Sequence, residues 1–200
     1  MITGNTLGLL GFDDDDIGAF ITTDTSMQVQ GFPAGTTLNF RQNSSAALLE
    51  LPLSSTVLYA ELIWGGSTTN FVDDVSAFLN DPITFTLPNG SSVQVTPDPA
   101  TAAEIDIFYV RSADVTTLVR SGGSGFYTTG SIPGTTHAPV ITNSSSCAGW
   151  TLKVMVESPG LSMRNISVYV CGDVIFNGGE PVDIPITGFS TPPLGTVTGR

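Results

Sequence analysis

Apolar and polar residues alternate strictly in two parts of this chain. In Leu58–Gly66 (LYAELIWGG), Leu58, Ala60, Leu62 and Trp64 share one side and Glu61 lies on the other. About ninety residues later, in Gly149–Glu157 (GWTLKVMVE), Trp150, Leu152, Val154 and Val156 share one side, with Lys153 and Glu157 opposite. Side chains on an extended backbone alternate faces with period two, so both segments are predicted to be half-buried β-strands. They carry the only two tryptophans, which places both indoles in one core. The expected packing set is Leu62, Trp64, Trp150, Leu152, Val154 and Val168.

Turn signals punctuate the rest: Pro33-Ala-Gly, Gly65-Gly66, Pro88-Asn-Gly, Gly122-Gly123, Ser158-Pro-Gly and Gly178-Gly179 among them. Short strands at such spacing indicate a sandwich or barrel. The predicted strands are 17–23, 46–51, 56–64, 83–87, 92–96, 105–111, 126–132, 150–157, 165–171 and 182–188. The clearest hairpin joins Ile83–Leu87 to Val93–Val95 through Pro88-Asn89-Gly90, where Asn-Gly supplies the positive φ of a tight connection. Two stretches have helical spacing instead: Val72, Val75, Phe78 and Leu79 behind Asp73 and Asp74, and Val115, Leu118 and Val119 behind Asp114, with Arg120 and Gly122 closing the second. Residues 133–148 read as a long surface loop. The expected fold is therefore one all-β domain over 1–200, a jelly-roll-like antiparallel β-sandwich with two short helices.

Charge narrows the partners. The chain carries 18 acidic residues against 6 basic ones, a formal net charge of −12. Phosphate backbones are bound by clusters of Lys and Arg, and one Lys with five scattered Arg builds none, so nucleic acid is not an expected partner. No apolar run reaches the eighteen residues that a spanning helix needs, and no membrane insertion is expected. Only 12% of residues are charged, against about a quarter in ordinary globular chains. Polarity is supplied by Ser, Thr, Asn and Gly, a mixture common on secreted β-proteins. The first residues, Met-Ile-Thr-Gly, lack the basic and apolar regions of a signal peptide, so a secreted form would be a mature or excised piece of a longer protein.

Candidate chemistry is sparse. Asp13 to Asp16 form an acidic run, and hard cations take six to eight oxygens. Asp13 and Asp15 are the candidate calcium ligands, with Asp73, Asp74, Asp81 or Asp98 as possible companions. The alternative is a solvated acidic loop, since no D-x-D-x-D-G pattern is present, and no other cofactor is expected. Cys147 and Cys171 flank an expected hairpin of 150–157 with 166–170. They form either a disulfide, which needs a slip of one or two residues to bring the Cα atoms within about 7 Å, or two independent thiols. His137, the single histidine, stands in a Thr/Pro/Ala loop without a nucleophile motif and reads as a solvated side chain. Glu50 and Glu61 fall on outward strand faces and, with Glu104, have no evident carboxylate partner for glycoside hydrolysis. Phe12, Phe32, Phe71, Phe126 and Tyr127 adjoin Gly-rich or acidic segments, where exposed rings would mark an interaction site.

Several segments together resemble a known family: Thr3-Gly-Asn-Thr-Leu-Gly-Leu, Ile17-Gly-Ala-Phe-Ile-Thr-Thr-Asp, Val57 to Gly66, Val95-Thr-Pro-Asp-Pro-Ala-Thr, Phe108-Tyr-Val-Arg-Ser-Ala-Asp-Val-Thr, Gly149-Trp-Thr-Leu, Arg164-Asn-Ile-Ser and Ile186-Thr-Gly-Phe-Ser-Thr-Pro. The chain resembles the N-terminal domain of DUF11-repeat-containing cell-surface proteins of Bacillus-like and clostridial bacteria. The resemblance implies an extracellular head at a cell wall or spore surface, preceding Ig-like repeats, with no established enzyme activity or ligand. Asp13–Asp16 and Cys147 depart from the family's pattern. The expectation is a non-catalytic, adhesin-like module for glycan or matrix protein; the alternative is a self-assembling structural component of a surface layer, spore coat or fibre, in contact with copies of itself.

Overall fold

The computed structural model describes residues 1–11, 16–70, 72–136, 146–161, 166–170, 172 and 183. Its strands are β1 (Ile2–Thr6), β2 (Gly8–Leu10), β3 (Ile17–Ile21), β4 (Thr36–Thr37), β5 (Ser44–Leu49), β6 (Thr56–Ser67), β7 (Ile83–Thr86), β8 (Ser92–Val95), β9 (Ala103–Ile105), β10 (Phe108–Asp114), β11 (Gly125–Gly130) and β12 (Ala148–Glu157), with one α-helix among the described residues, α1 (Thr116–Gly122). A five-stranded sheet, β1-β12-β6-β10-β9, faces a four-stranded sheet, β5-β11-β7-β8, and a small sheet β2-β3-β4 adjoins them. Every pairing is antiparallel. From β5 onward the chain crosses repeatedly between the two large sheets, as in a jelly roll. The expected all-β sandwich is the observed fold.

The two tryptophan strands lie side by side at the middle of the larger sheet. Trp150 is the direct partner of Trp64, Leu152 of Leu62 and Val154 of Ala60. Trp64 and Trp150 are 1% and 3% exposed, inside one continuous apolar cluster with Leu49, Phe85, Tyr127 and Ile83 of the opposite sheet. The Trp150 indole Nε1 donates to Ser45 Oγ on β5 at 2.8 Å, which ties the two sheets in register. At the adjoining edge, Thr3 Oγ1 donates to the Leu48 carbonyl at 2.8 Å and Asn5 Nδ2 to that of Ala46 at 3.0 Å, so β1 closes against β5 through side chains.

Several expectations are corrected. Val57 faces the core and Leu58 is 52% exposed, because Tyr59 pairs with Met155 and Val57 with Val156, leaving Leu58 as the extra residue of a β-bulge. The hairpin of 150–157 with 166–170 does not form: β12 is flanked by β1 and β6, so no edge is left for it, and Val168 is only partly buried outside any strand. One expected strand over 105–111 is two, β9 and β10, separated by a turn in which Asp106 takes φ +54°. The first helix shrinks to a single 3-10 turn, Ser76–Phe78, with Asp74 Oδ1 accepting from the Ser76 amide at 2.9 Å. The second helix is present; Asp114 Oδ1 accepts from the Thr116 amide at 2.8 Å, and Arg120 donates to the Val57 and Leu58 carbonyls at 2.8 and 3.0 Å, bracing the bulge. The β7–β8 hairpin turns through Pro88-Asn89-Gly90 as expected, with positive φ at Gly90. The predicted strand 182–188 lies outside the described residues, apart from Asp183.

Trp150→Ala should cost about 3–5 kcal/mol, the range for emptying a large core site, because it also orphans Ser45. Urea unfolding followed by circular dichroism measures this; a midpoint within experimental error of the parent would contradict the assigned packing.

Candidate functional site

The outward face of the five-stranded sheet is the principal candidate. Cross-strand pairing aligns Gly4, Thr151, Ile63 and Ser112 in one row, and Thr6, Gly149, Gly65 and Val110 in the next. Three glycines among eight positions leave little side-chain height, and a shallow trough of about 730 Å³ runs over them, with Ile2, Ile63, Val110 and Thr151 in its lining. Gly65 cannot be replaced without moving a strand, since a Cβ there would lie 2.4 Å from the Tyr109 carbonyl oxygen.

A charged row borders the trough: Ile2, Lys153, Glu61 and Asp114. Glu61 lies on the outward face as expected, yet it is only 3% exposed. Its carboxylate accepts the hydroxyl proton of Tyr59, two residues earlier on the same face, and Lys153 flanks it on the next strand. Burial pushes the Tyr59 phenol well above its ordinary range, helped by the hydrogen bond to Glu61 and the negative charges of Glu61, Asp114 and Asp98. Tyr59 is therefore held as a donor at any ordinary pH. A second hollow of about 490 Å³, bordered by Tyr59, Asp114, Thr116 and Arg120, opens beside this row.

One end of the sandwich is closed by small polar side chains. Asn43 brackets Ile132 on both sides, Nδ2 donating to its carbonyl at 2.9 Å and Oδ1 accepting from its amide at 3.0 Å. Tyr109 donates to the Pro133 carbonyl at 2.7 Å. Ser67 Oγ lies 2.7 Å from Thr135 Oγ1 and accepts from the amides of Thr135 and Cys147, each at 3.2 Å. Thr135 Oγ1 reaches Ser146 Oγ at 3.2 Å, and the Ser146 amide donates to Asp16 Oδ1 at 3.0 Å. Residues 132–136 are buried, which corrects the first part of the expected surface loop. Ser67 is fully buried with its oxygen saturated, so this cluster fastens loops and offers no accessible nucleophile.

The residues singled out by sequence scatter. Asp13, Asp15, His137 and Cys171 lie outside the described residues, as do Phe12 and Phe71. Among the described residues no group of three His, Cys, Asp or Glu converges as a metal site. Asp74 and Asp98 use their oxygens on the amides of Ser76 and Ala100, and Asp81 pairs with Arg41 at 3.7 Å. Glu104 is engaged by the buried Arg111 at 2.5 Å, whose other donors go to Asn80, Ala103 and Val110. Cys147 is a free thiol on a solvent-open residue, and the packing around its sulfur still pushes the thiol up to about 11, so it is almost wholly protonated at neutral pH and a weak nucleophile. Tyr127 is buried, whereas Phe126 is exposed beside Leu48, its partner on β5. The trough itself was missed; the one trace of it in the sequence is glycine at outward parity in strands otherwise rich in β-formers.

Tyr59→Phe removes the hydroxyl that donates to the buried Glu61 carboxylate and should cost about 1–3 kcal/mol. Chemical denaturation at neutral pH checks it, with Tyr59→Phe/Glu61→Gln expected to recover part of the loss; an unchanged midpoint for the single variant would contradict the pairing.

No family model, curated protein or solved structure matches this chain.

Proposed function

We propose that this chain is a non-catalytic extracellular module that binds a glycan or a matrix protein, displayed at a cell wall or spore surface. The observation that carries the reading is the glycine-floored trough on the outer face of the five-stranded sheet. A trough bordered by Ile63 and Val110 accepts the flat apolar face of a sugar ring or an extended peptide. The hydroxyl of Thr151 supplies hydrogen bonds in the trough, and the ammonium of Lys153 stands in the row that borders it. The strands beneath it are fixed by the tryptophan pair, so a ligand pays little to order the surface it meets. The net charge of −12 disfavours anionic polymers and favours neutral or basic ligands. Location rests on the resemblance to DUF11-repeat surface proteins and on a Ser/Thr/Asn-rich composition. Calcium at Asp13 and Asp15 remains an accessory proposal, read out by a rise in melting temperature on adding calcium and its reversal by chelator.

The free Cys147, a solvent-open residue, favours a second reading, a structural component that links copies of itself. Non-reducing against reducing electrophoresis separates the two: disulfide ladders favour assembly, a single band favours the binding head.

Arraying the purified domain against glycans and matrix proteins should give hits that Thr151→Arg abolishes by filling the trough. The variant's melting temperature should stay within about 2 °C, as for a surface substitution. Silence on both arrays, or binding untouched by Thr151→Arg, would overturn the proposal.

A further inference from the structure

Two polar side-chain atoms deep in the sandwich have no hydrogen-bond partner among the described residues: Trp64 Nε1 and Thr129 Oγ1. They belong to facing rows. On the five-stranded sheet the row runs Trp150, Trp64, Arg111; on the four-stranded sheet it runs Ser45, Thr129, Phe85. The Trp150–Ser45 hydrogen bond of 2.8 Å sets these rows opposite each other at one end, and the side-chain bonds from β1 to β5 hold the same edge. One strand further in, Trp64 and Thr129 hold the corresponding positions of the two rows, but no direct hydrogen bond joins them. Trp64 is 1% exposed and Thr129 is fully buried, so neither reaches bulk solvent.

Leaving both atoms dry would carry two desolvation penalties at once, and buried polar groups in native proteins are almost always satisfied. An indole N–H is a donor only, whereas a hydroxyl both donates and accepts. A single molecule that accepts from one and donates to the other completes both. We infer that Trp64 Nε1 and Thr129 Oγ1 share one internal water, which forms a second, water-mediated rung between the sheets beside the direct Trp150–Ser45 rung. Ser45, the cross-strand neighbour of Thr129, accepts from Trp150 and keeps its own proton, so it is the natural third partner; internal waters commonly make about three hydrogen bonds. The site takes a small neutral hydrogen-bonding ligand, and its size is set by a row that mixes two indoles with two short hydroxyl side chains.

Thr129→Val distinguishes the outcomes by sign. If Thr129 is an orphan, replacing its hydroxyl with a near-isosteric methyl removes a penalty and raises the melting temperature. If it holds a shared water, the replacement strands the Trp64 N–H and lowers the melting temperature by about 2–4 °C, the shift for losing one hydrogen bond in a domain of this size. A crystal structure at a resolution that orders solvent should show a water within hydrogen-bonding distance of both atoms. A rise in melting temperature, a dry core, or a direct Trp64–Thr129 hydrogen bond would each overturn the inference.

Discussion

Everything in this molecule leans on one pair of adjacent indoles. Trp64 and Trp150 sit opposite each other on the central strands of the five-stranded sheet and fill the space beneath the four-stranded one. Large aromatic side chains contribute most per residue to a core of this kind. The hydrogen bond from Trp150 to Ser45 adds direction to that burial, because it fixes which residue of one sheet lies above which residue of the other. Apolar packing alone tolerates sliding; an indole donor seated on a particular hydroxyl does not.

That constraint explains why so much polar chemistry survives around the core. With the sheets held in register, small side chains can reach specific backbone groups: Thr3 and Asn5 stitch β1 to β5, Asn43 brackets Ile132, and Ser67 gathers two amides at the closed end. Each bond is modest, but together they bury loop backbone that would otherwise need water. The outer face of the same sheet is then free to be shallow. Glycine at positions 4, 65 and 149 weakens a strand locally, and the tryptophan row directly beneath offsets that weakness.

How far the sequence foretold this depends on the kind of pattern. Strict alternation made β6 and β12 legible, and Asn-Gly after Pro88 made the β7–β8 turn legible. β1 was hidden because Ile2–Thr6 has no apolar face; it is held by backbone pairing to β12 and by its own Thr and Asn side chains. The bulge at Leu58 was hidden because one inserted residue reverses parity without altering composition. The outward parity of Glu61 was legible but its burial was not, because that depends on its Tyr59 donor and its Lys153 neighbour across the strand. Residues 133–136, the start of the expected surface loop, read that way because Pro, Gly and Thr have the same composition whether they meet water or bracket a core. The trough was illegible for a related reason: glycine in a strand reports missing bulk, and what fills the space is not encoded in the same residues.

Native-state hydrogen exchange tests the central claim most directly, since it ranks the opening free energy of each strand. Amides of Leu62 on β6 and Leu152 on β12 should be the slowest in the domain and exchange only with global unfolding, while the edge strands β8 and β9 open earlier. Exchange of Leu62 and Leu152 at the rate of those edge strands would contradict the account.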